Sequence, residues 1–254
     1  MDGELTPFAS SAVEFRHVSY RIGGRTILDD LTFSIESGET LVLLGRSGSG
    51  KTTALKMVNG LLFPSNGEVL VQGKPTTAWN PIRLRRGIGY VIQEVGLFPH
   101  FTIARNVGLV PRLEGWDPTR IGARVGELLA SVGLEPSQFA DRYPRQLSGG
   151  QRQRAGVARA LAADPAILLF DEPFGALDPV NRHELQVQFL ALRRNLGKTS
   201  IFVTHDVREA LRLGSRVALL EHGRLEVLAT PAEFLKSDHP EARAFLACLE
   251  IDPA

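Results

Sequence analysis

The chain has a single cysteine, Cys248, so it can form no internal disulfide, and a reducing compartment is expected. Charge of one sign is also missing. The 29 Lys and Arg against 28 Asp and Glu leave a formal net charge of +1, without the basic surplus of a dedicated nucleic-acid binder, so no nucleic-acid partner is expected. No apolar run approaches the roughly 18–20 residues needed to cross a bilayer; the longest, such as Ala166–Phe170, have the length of a strand. The opening Met1–Ser11 lacks a basic start followed by an apolar core, so no secretory leader is expected. There is no internal repeat and no low-complexity segment. What remains, over 254 residues, is room for one large α/β domain with an insertion. Any role at a membrane must come through partners.

Patterning divides the chain. Val13–Tyr20 alternates apolar and polar residues as a half-buried strand does, Leu31–Ile35 reads as a second strand, and Gly23-Gly24 marks the turn between them. Thr40–Leu44 is an apolar run stopped by a glycine-rich loop, after which Ala54, Leu55, Val58 and Leu61-Leu62 recur at helical spacing. Gly67–Val71 and Gly87–Ile92 read as strands. From Thr102 to about Ala163 the pattern is helical, with Ile121, Val125, Leu128-Leu129 and Val132 on one face. Strands return at Ala166–Phe170 and Ser200–Thr204 around a helix near Asn181–Leu196. Val217–Glu221 and Leu225–Ala229 form a hairpin about His222-Gly223-Arg224, and two short helices fall within Pro231–Leu249. The expected organisation is a core of roughly 13–93 and 164–230, a helical insertion of roughly 94–163, and a helical tail over 231–254.

Three stretches carry chemistry. Gly45-Arg46-Ser47-Gly48-Ser49-Gly50-Lys51-Thr52-Thr53 lies between a strand and a helix, as a phosphate-binding loop requires. Its glycines let successive N–H groups turn inward, and the helix N-terminus adds partial positive charge. Lys51 is then expected at the β- and γ-phosphates of a nucleotide and the Thr52 hydroxyl at Mg²⁺. Ile167–Phe170 is a wholly apolar strand that ends in Asp171-Glu172, two acids that do not belong in a core. Asp171 suits the Mg²⁺ side, through water, and Glu172 suits the base that polarises an attacking water. Leu147-Ser148-Gly149-Gly150-Gln151 opens a helix in which Ala155, Ala158, Leu161 and Ala162 share a face. Capping alone accounts for Ser148. Two glycines directly after the cap weaken the helix by about 1 kcal/mol each, a cost that close approach of an anion explains.

Leu147–Gln151, placed between the phosphate loop and Asp171-Glu172, resembles the signature of ATP-binding-cassette (ABC) transporter ATPases, and the match covers nearly the whole chain. The resemblance implies a P-loop NTPase (RecA-like) α/β core with an N-terminal antiparallel β subdomain and an inserted α-helical subdomain, spanning 13–249. It implies ATP and Mg²⁺ as ligands. It makes Tyr20 the aromatic that stacks on adenine, although Tyr20 reads equally as a half-buried strand residue. It makes Gln93 the sensor of Mg²⁺ and water, Gly175-Ala176-Leu177-Asp178 a loop crossing a dimer, and His205 in Val203–Asp206 a switch near the γ-phosphate. By the residues alone, Asp178 reads as a helix cap and His205 as a structural histidine. Catalysis is thereby assigned to Glu172, His205 and Gln93. Nucleotide binding falls to Tyr20, Gly45–Thr53, Ser148–Gln151 and Asp178, and Mg²⁺ to Thr52, Gln93 and Asp171. Arg46 stands where many members of the family carry proline.

In that family two copies bind head to tail, each nucleotide lying between the phosphate loop of one and the Ser148–Gln151 segment of the other. The apolar stretch Glu94–Phe101 corresponds to the surface that receives a transmembrane permease subunit; packing within the helical insertion explains Leu97 and Phe98 equally well. Tyr90–His100 and Asp171–Pro179 are similar to bacterial importers, which take substrate from an extracytoplasmic binding protein and sit at the cytoplasmic face of the plasma membrane. Leu84–Tyr90 and Leu109–Leu113 are similar to ATPases that take up osmoprotectants such as glycine betaine, choline or carnitine. Those often carry a C-terminal pair of CBS repeats, for which 254 residues leave no room, so osmotic gating by such a module is not expected. An exporter or lipid-transport ATPase would share every motif. A cassette acting on ribosomes or DNA would instead show two cassettes or a long coiled-coil insertion.

Overall fold

The computed structural model describes residues 11–93, 96–175 and 178–249. Strands β1 (Ser11–Ile22) and β2 (Arg25–Glu36) pair antiparallel across the Gly23-Gly24 turn, and β3 (Thr40–Leu44) leads through the glycine loop into α1 (Lys51–Val58). Next come β4 (Asn66–Val71), the short β5 (Lys74–Pro75), α2 (Pro81–Arg86) and β6 (Ile88–Val91). A run of helices follows: α3 (Ile103–Val107), α4 (Leu109–Leu113), α5 (Pro118–Ser131), α6 (Pro136–Phe139) and α7 (Gly149–Leu161). Strands and helices then alternate as β7 (Ile167–Asp171), α8 (Pro179–Leu196), β8 (Thr199–Thr204) and α9 (Val207–Leu213). The hairpin β9 (Arg216–Glu221) and β10 (Arg224–Ala229) and helices α10 (Pro231–Phe234) and α11 (Pro240–Ala247) complete the described fold.

These strands make two sheets, one antiparallel in the order β2-β1-β4-β5 and one in the order β10-β9-β3-β8-β7-β6. In the second sheet only β10 runs antiparallel to its neighbour. Every residue of β3, β7 and β8 is buried, as expected of parallel strands covered on both faces. Alternation along the strands divides the interior in two. Val42, Leu44, Leu168, Phe170 and Phe202 face the helices α3, α5, α7 and α8. Leu41, Leu43, Leu169, Ile201 and Val203 face α1 and the antiparallel sheet. Phe170 and Phe202 stack with centroids 4.2 Å apart, and Phe189 of α8 meets both edge-on.

The register sets the ends of β3, β7 and β8 side by side, with Leu44 opposite Thr204 and Asp171 opposite Val203. The loops that follow these strands therefore converge at their C-terminal ends, where open parallel sheets place their ligands. Two helices were not expected from periodicity, α2 and α9. Both are short and begin at an acceptor cap: Asn80 takes the Ile82 and Arg83 N–H groups, and Asp206 takes that of Arg208.

Candidate active site

Gly45 ends β3 so close to β9 that a Cβ there would land on the Leu220 carbonyl oxygen. Gly50, left-handed at φ 100°, begins α1 where a Cβ would strike Leu28. Within this curl Lys51 is 4% exposed, and its Nζ donates to the Gly45 and Arg46 carbonyls at 2.7 and 2.8 Å. Burial pushes the Lys51 pKa down, and the Glu172 and Asp171 carboxylates oppose that shift. The first turn of α1 has neither an acid nor a side-chain cap, so its free N–H groups and the lysine together form a receptor for an anion. Arg46, Ser47 and Gly48 are exposed, Ser49 is buried, and Thr52 and Thr53 are half-buried.

Asp171, at the end of β7, is 8% exposed. Its Oδ1 accepts from the Thr52 hydroxyl at 2.7 Å and its Oδ2 from the Tyr90 hydroxyl at 3.3 Å. Burial first, and then Asp171, raises the Tyr90 pKa, which keeps that phenol a donor. The next residue, Glu172, adopts φ 45° and donates its N–H to the Val203 carbonyl at 3.0 Å. A non-glycine residue held there carries about 1–3 kcal/mol of strain. This turn sets the carboxylate Oε2 3.2 Å from His205 Nδ1. Lys51, Thr52, Asp171, Glu172 and His205 thus form one cluster, and Tyr90 joins it without having been assigned a role from the sequence.

Behind His205 lies a buried group that the motifs did not mark. Glu209 of α9, 6% exposed, accepts from the Thr204 hydroxyl at 2.6 Å and from Gln186 Nε2 at 3.1 Å. The Thr204 oxygen in turn accepts the Asp206 N–H at 3.0 Å, so the residues on either side of His205 are fastened to one carboxyl. Burial raises the Glu209 pKa above 4.5; Asp206 adds to this, while Thr204, Arg182 and Gln186 oppose it. A carboxyl raised on folding favours the fold while protonated, and that contribution fades as pH rises through the folded value. Glu209→Gln should therefore lose less stability than the parent chain between pH 4.5 and neutrality in urea unfolding. Parallel stability curves for the two proteins would contradict it.

Among the described residues, Ser148–Gln151, Tyr20 and Gln93 make no hydrogen bond or ion pair to this cluster. Ser148 caps α7, accepting the Gln151 N–H at 3.2 Å while Gln151 Oε1 accepts the Ser148 N–H at 2.9 Å. Ser148 and Gly149 are exposed, and among the described residues no hydrogen bond or ion pair joins this turn to Gly45–Thr53. Tyr20 is half-buried against the core shared with the antiparallel sheet. Gln93 is exposed and, among the described residues, bonds to none of the cluster. Asp178 caps α8 through the Val180 N–H at 3.1 Å. Ala176 and Leu177 of its loop, and Glu94 and Val95 of the apolar stretch, lie outside the described residues. Within that stretch Leu97 packs on the helical core, while Phe98 stays 41% exposed beside Phe101 and His100.

A profile of the ABC transporter family matches residues 28–175. The chain belongs to that family. Over 208 residues it is 51% identical to an osmoprotectant import ATP-binding protein, OsmV, of Salmonella typhimurium, covering 82% of this chain and 54% of that protein. A carnitine transport ATP-binding protein, OpuCA, of Listeria monocytogenes is 48% identical over 89% of this chain and 57% of its own length. A glycine betaine uptake system ATP-binding protein, YehX, of Escherichia coli is 48% identical over 88% of this chain and 72% of its own. The chain thus spans a little over half the length of the first two. Among solved structures, a dimeric post-hydrolysis state of the ATP-binding cassette MJ0796, bound to ADP and Pi, is 34% identical with a TM-score of 0.77, covering 86% of this chain and 98% of that one. The fold is that of an ABC ATPase cassette.

Proposed function

We propose that the chain is the ATP-hydrolysing subunit of a bacterial ABC importer, in which a head-to-tail dimer couples ATP binding and hydrolysis to uptake of an osmoprotectant such as glycine betaine or choline. The observation that carries the chemistry is the cluster at the ends of β3, β7 and β8. There a buried lysine is held at an anion-receptive turn, with a hydroxyl–carboxylate pair on one side and a carboxylate–imidazole pair on the other. Lys51 and the loop N–H groups from Gly45 to Thr53 hold the phosphates. The Thr52–Asp171 pair fits a hard cation, since both supply oxygen. With Gln93 these residues would hold Mg²⁺, which neutralises charge on the phosphates. Glu172 takes a proton from the attacking water, and His205, 3.2 Å away, orients that carboxylate and meets the γ-phosphate. Tyr20 supplies a face for adenine. Ser148, Gly149, Gly150 and Gln151, the first two exposed and the last two half-buried, are bonded to none of Gly45–Thr53 among the described residues; they reach the phosphates bound by the other copy, and Asp178 joins the two sites.

Among the described residues no helix is long and apolar enough to cross a membrane. Transport therefore calls for transmembrane permease subunits, with this chain peripheral on the cytoplasmic face and the extracytoplasmic binding protein acting indirectly. Exposed Phe98 and its aromatic neighbours support a permease contact. The cargo rests on likeness to OsmV, OpuCA and YehX. Co-purification with permease subunits, followed by ATPase assays in proteoliposomes with a binding protein and a panel of solutes, tests it. Glycine betaine, choline or carnitine should stimulate turnover; stimulation by amino acids or lipids alone would overturn the cargo.

A further inference from the structure

Arg46 sits inside the phosphate loop, but its side chain leaves it. The guanidinium grips Glu241 of α11 through two parallel contacts, Nε to Oε1 at 2.6 Å and Nη2 to Oε2 at 3.0 Å. This planar two-point fit fixes direction as well as distance, which a lysine would not do. Glu241 is the fixed end of the pair, its side chain 10% exposed against 71% for that of Arg46. A carboxylate in the first turn of α11 also favours the positive end of the helix. The pair forms one side of a 360 Å³ cleft completed by Ser49, Leu220, Glu221 and His222.

The tail that presents Glu241 is itself anchored. Ala242 is fully buried, and Phe245 and Leu246 pack on the helical core. His239 Nε2 lies 3.4 Å from Glu226 of β10, and Arg208 of α9 donates to the Cys248 carbonyl at 3.3 Å. The other end of the link is the loop backbone. The Arg46 carbonyl accepts from Lys51 Nζ at 2.8 Å and from the Ser49 N–H at 3.2 Å. One residue is thus held by its side chain to the tail and by its main chain to the loop's lysine.

We propose that Glu241 is a positioning residue of the nucleotide site. The C-terminal helix α11 holds Arg46, and through the Arg46 backbone it holds the Lys51 ammonium where the β- and γ-phosphates arrive. The C-terminal segment therefore sets the affinity for ATP. This rests on the reading of Gly45–Thr53 as the phosphate-binding loop. Lys51 serves the bound nucleotide and the transition state alike, so loosening it removes uniform binding. That raises KM and leaves kcat nearly unchanged.

The test uses the full chain, with ATP KM and kcat from steady-state hydrolysis and Kd from a fluorescent ATP analogue. The near-isosteric Glu241→Gln should raise KM and Kd about fivefold, at the low end of typical coupling between sites, with kcat within about twofold. In an Arg46→Gln background Glu241→Gln should add nothing, because the link is already cut. An unchanged KM for Glu241→Gln, a loss confined to thermal stability, or an equal further rise in the Arg46→Gln background would each overturn the proposal. If Lys51→Ala loses ATP while Glu241→Gln binds as the parent does, the positioning role falls and the loop reading stands. If Lys51→Ala also binds normally, both fall.

Discussion

Glu172→Gln is expected to bind ATP, to stabilise the closed dimer and to lower ATP turnover by about 10²–10⁴-fold, the usual contribution of a positioned general base. The exchange keeps the shape of the side chain and removes its capacity to take a proton. The left-handed turn at φ 45° and the N–H bond to the Val203 carbonyl belong to the backbone and survive it. So does the anion receptor at Lys51, which explains why binding should persist while chemistry stops. In the proposed site this carboxylate faces the γ-phosphate, so its removal also removes charge repulsion, and ATP should hold two copies together longer than in the parent. Size-exclusion profiles with ATP and single-turnover assays measure both effects. Undiminished hydrolysis would remove Glu172 from the role of base.

Lys51→Ala should act at the earlier step, weakening ATP binding by roughly a hundredfold or more. The estimate follows from two charge-assisted contacts to phosphate at about 1.5–3 kcal/mol each, with about 1.4 kcal/mol per tenfold change. The geometry supports that role: the ammonium is 4% exposed, held by two loop carbonyls, and faced by Glu172 and Asp171. In the variant those two carbonyls lose the lysine, the Arg46 carbonyl keeping the Ser49 N–H, while the glycine curl, which depends on Gly45 and Gly50, remains. The fold should therefore survive, and a thermal melt near that of the parent would separate lost binding from lost structure. Retained nanomolar or micromolar binding equal to the parent's would contradict the phosphate role.

What could be read in the sequence was whatever is local. β3, β7 and β8 announce themselves as apolar runs because both faces are covered, and their bounds in the fold, Thr40–Leu44, Ile167–Asp171 and Thr199–Thr204, lie within a residue of the expected ones. The glycine loop was legible because its conformation depends on glycine where a Cβ would collide. The two short helices α2 and α9 escaped because neither offers two full turns of periodicity, and only their caps marked them. The contacts that organise the site were invisible for a different reason. Glu172 meets His205 only through the register that pairs Asp171 with Val203, and Tyr90 meets Asp171 across β6 and β7. Glu209 looks like any acid on a short helix until Thr204 and Gln186 are seen to bury it. The Arg46–Glu241 pair, 195 residues apart in the chain, has no local signal at either end.

The central claim is that each nucleotide site needs two copies, one giving Gly45–Thr53 and the other Ser148–Gln151. Mixing two inactive variants tests it most directly: Lys51→Ala, defective in the loop, and Ser148→Arg, defective in the signature turn. In a head-to-tail dimer of one with the other, both lesions fall in one site and the second site is whole. An equimolar mixture should then recover up to about a quarter of the parent's ATPase activity, since half of random dimers are mixed and each has one intact site. A mixture no more active than either variant alone would contradict the shared site.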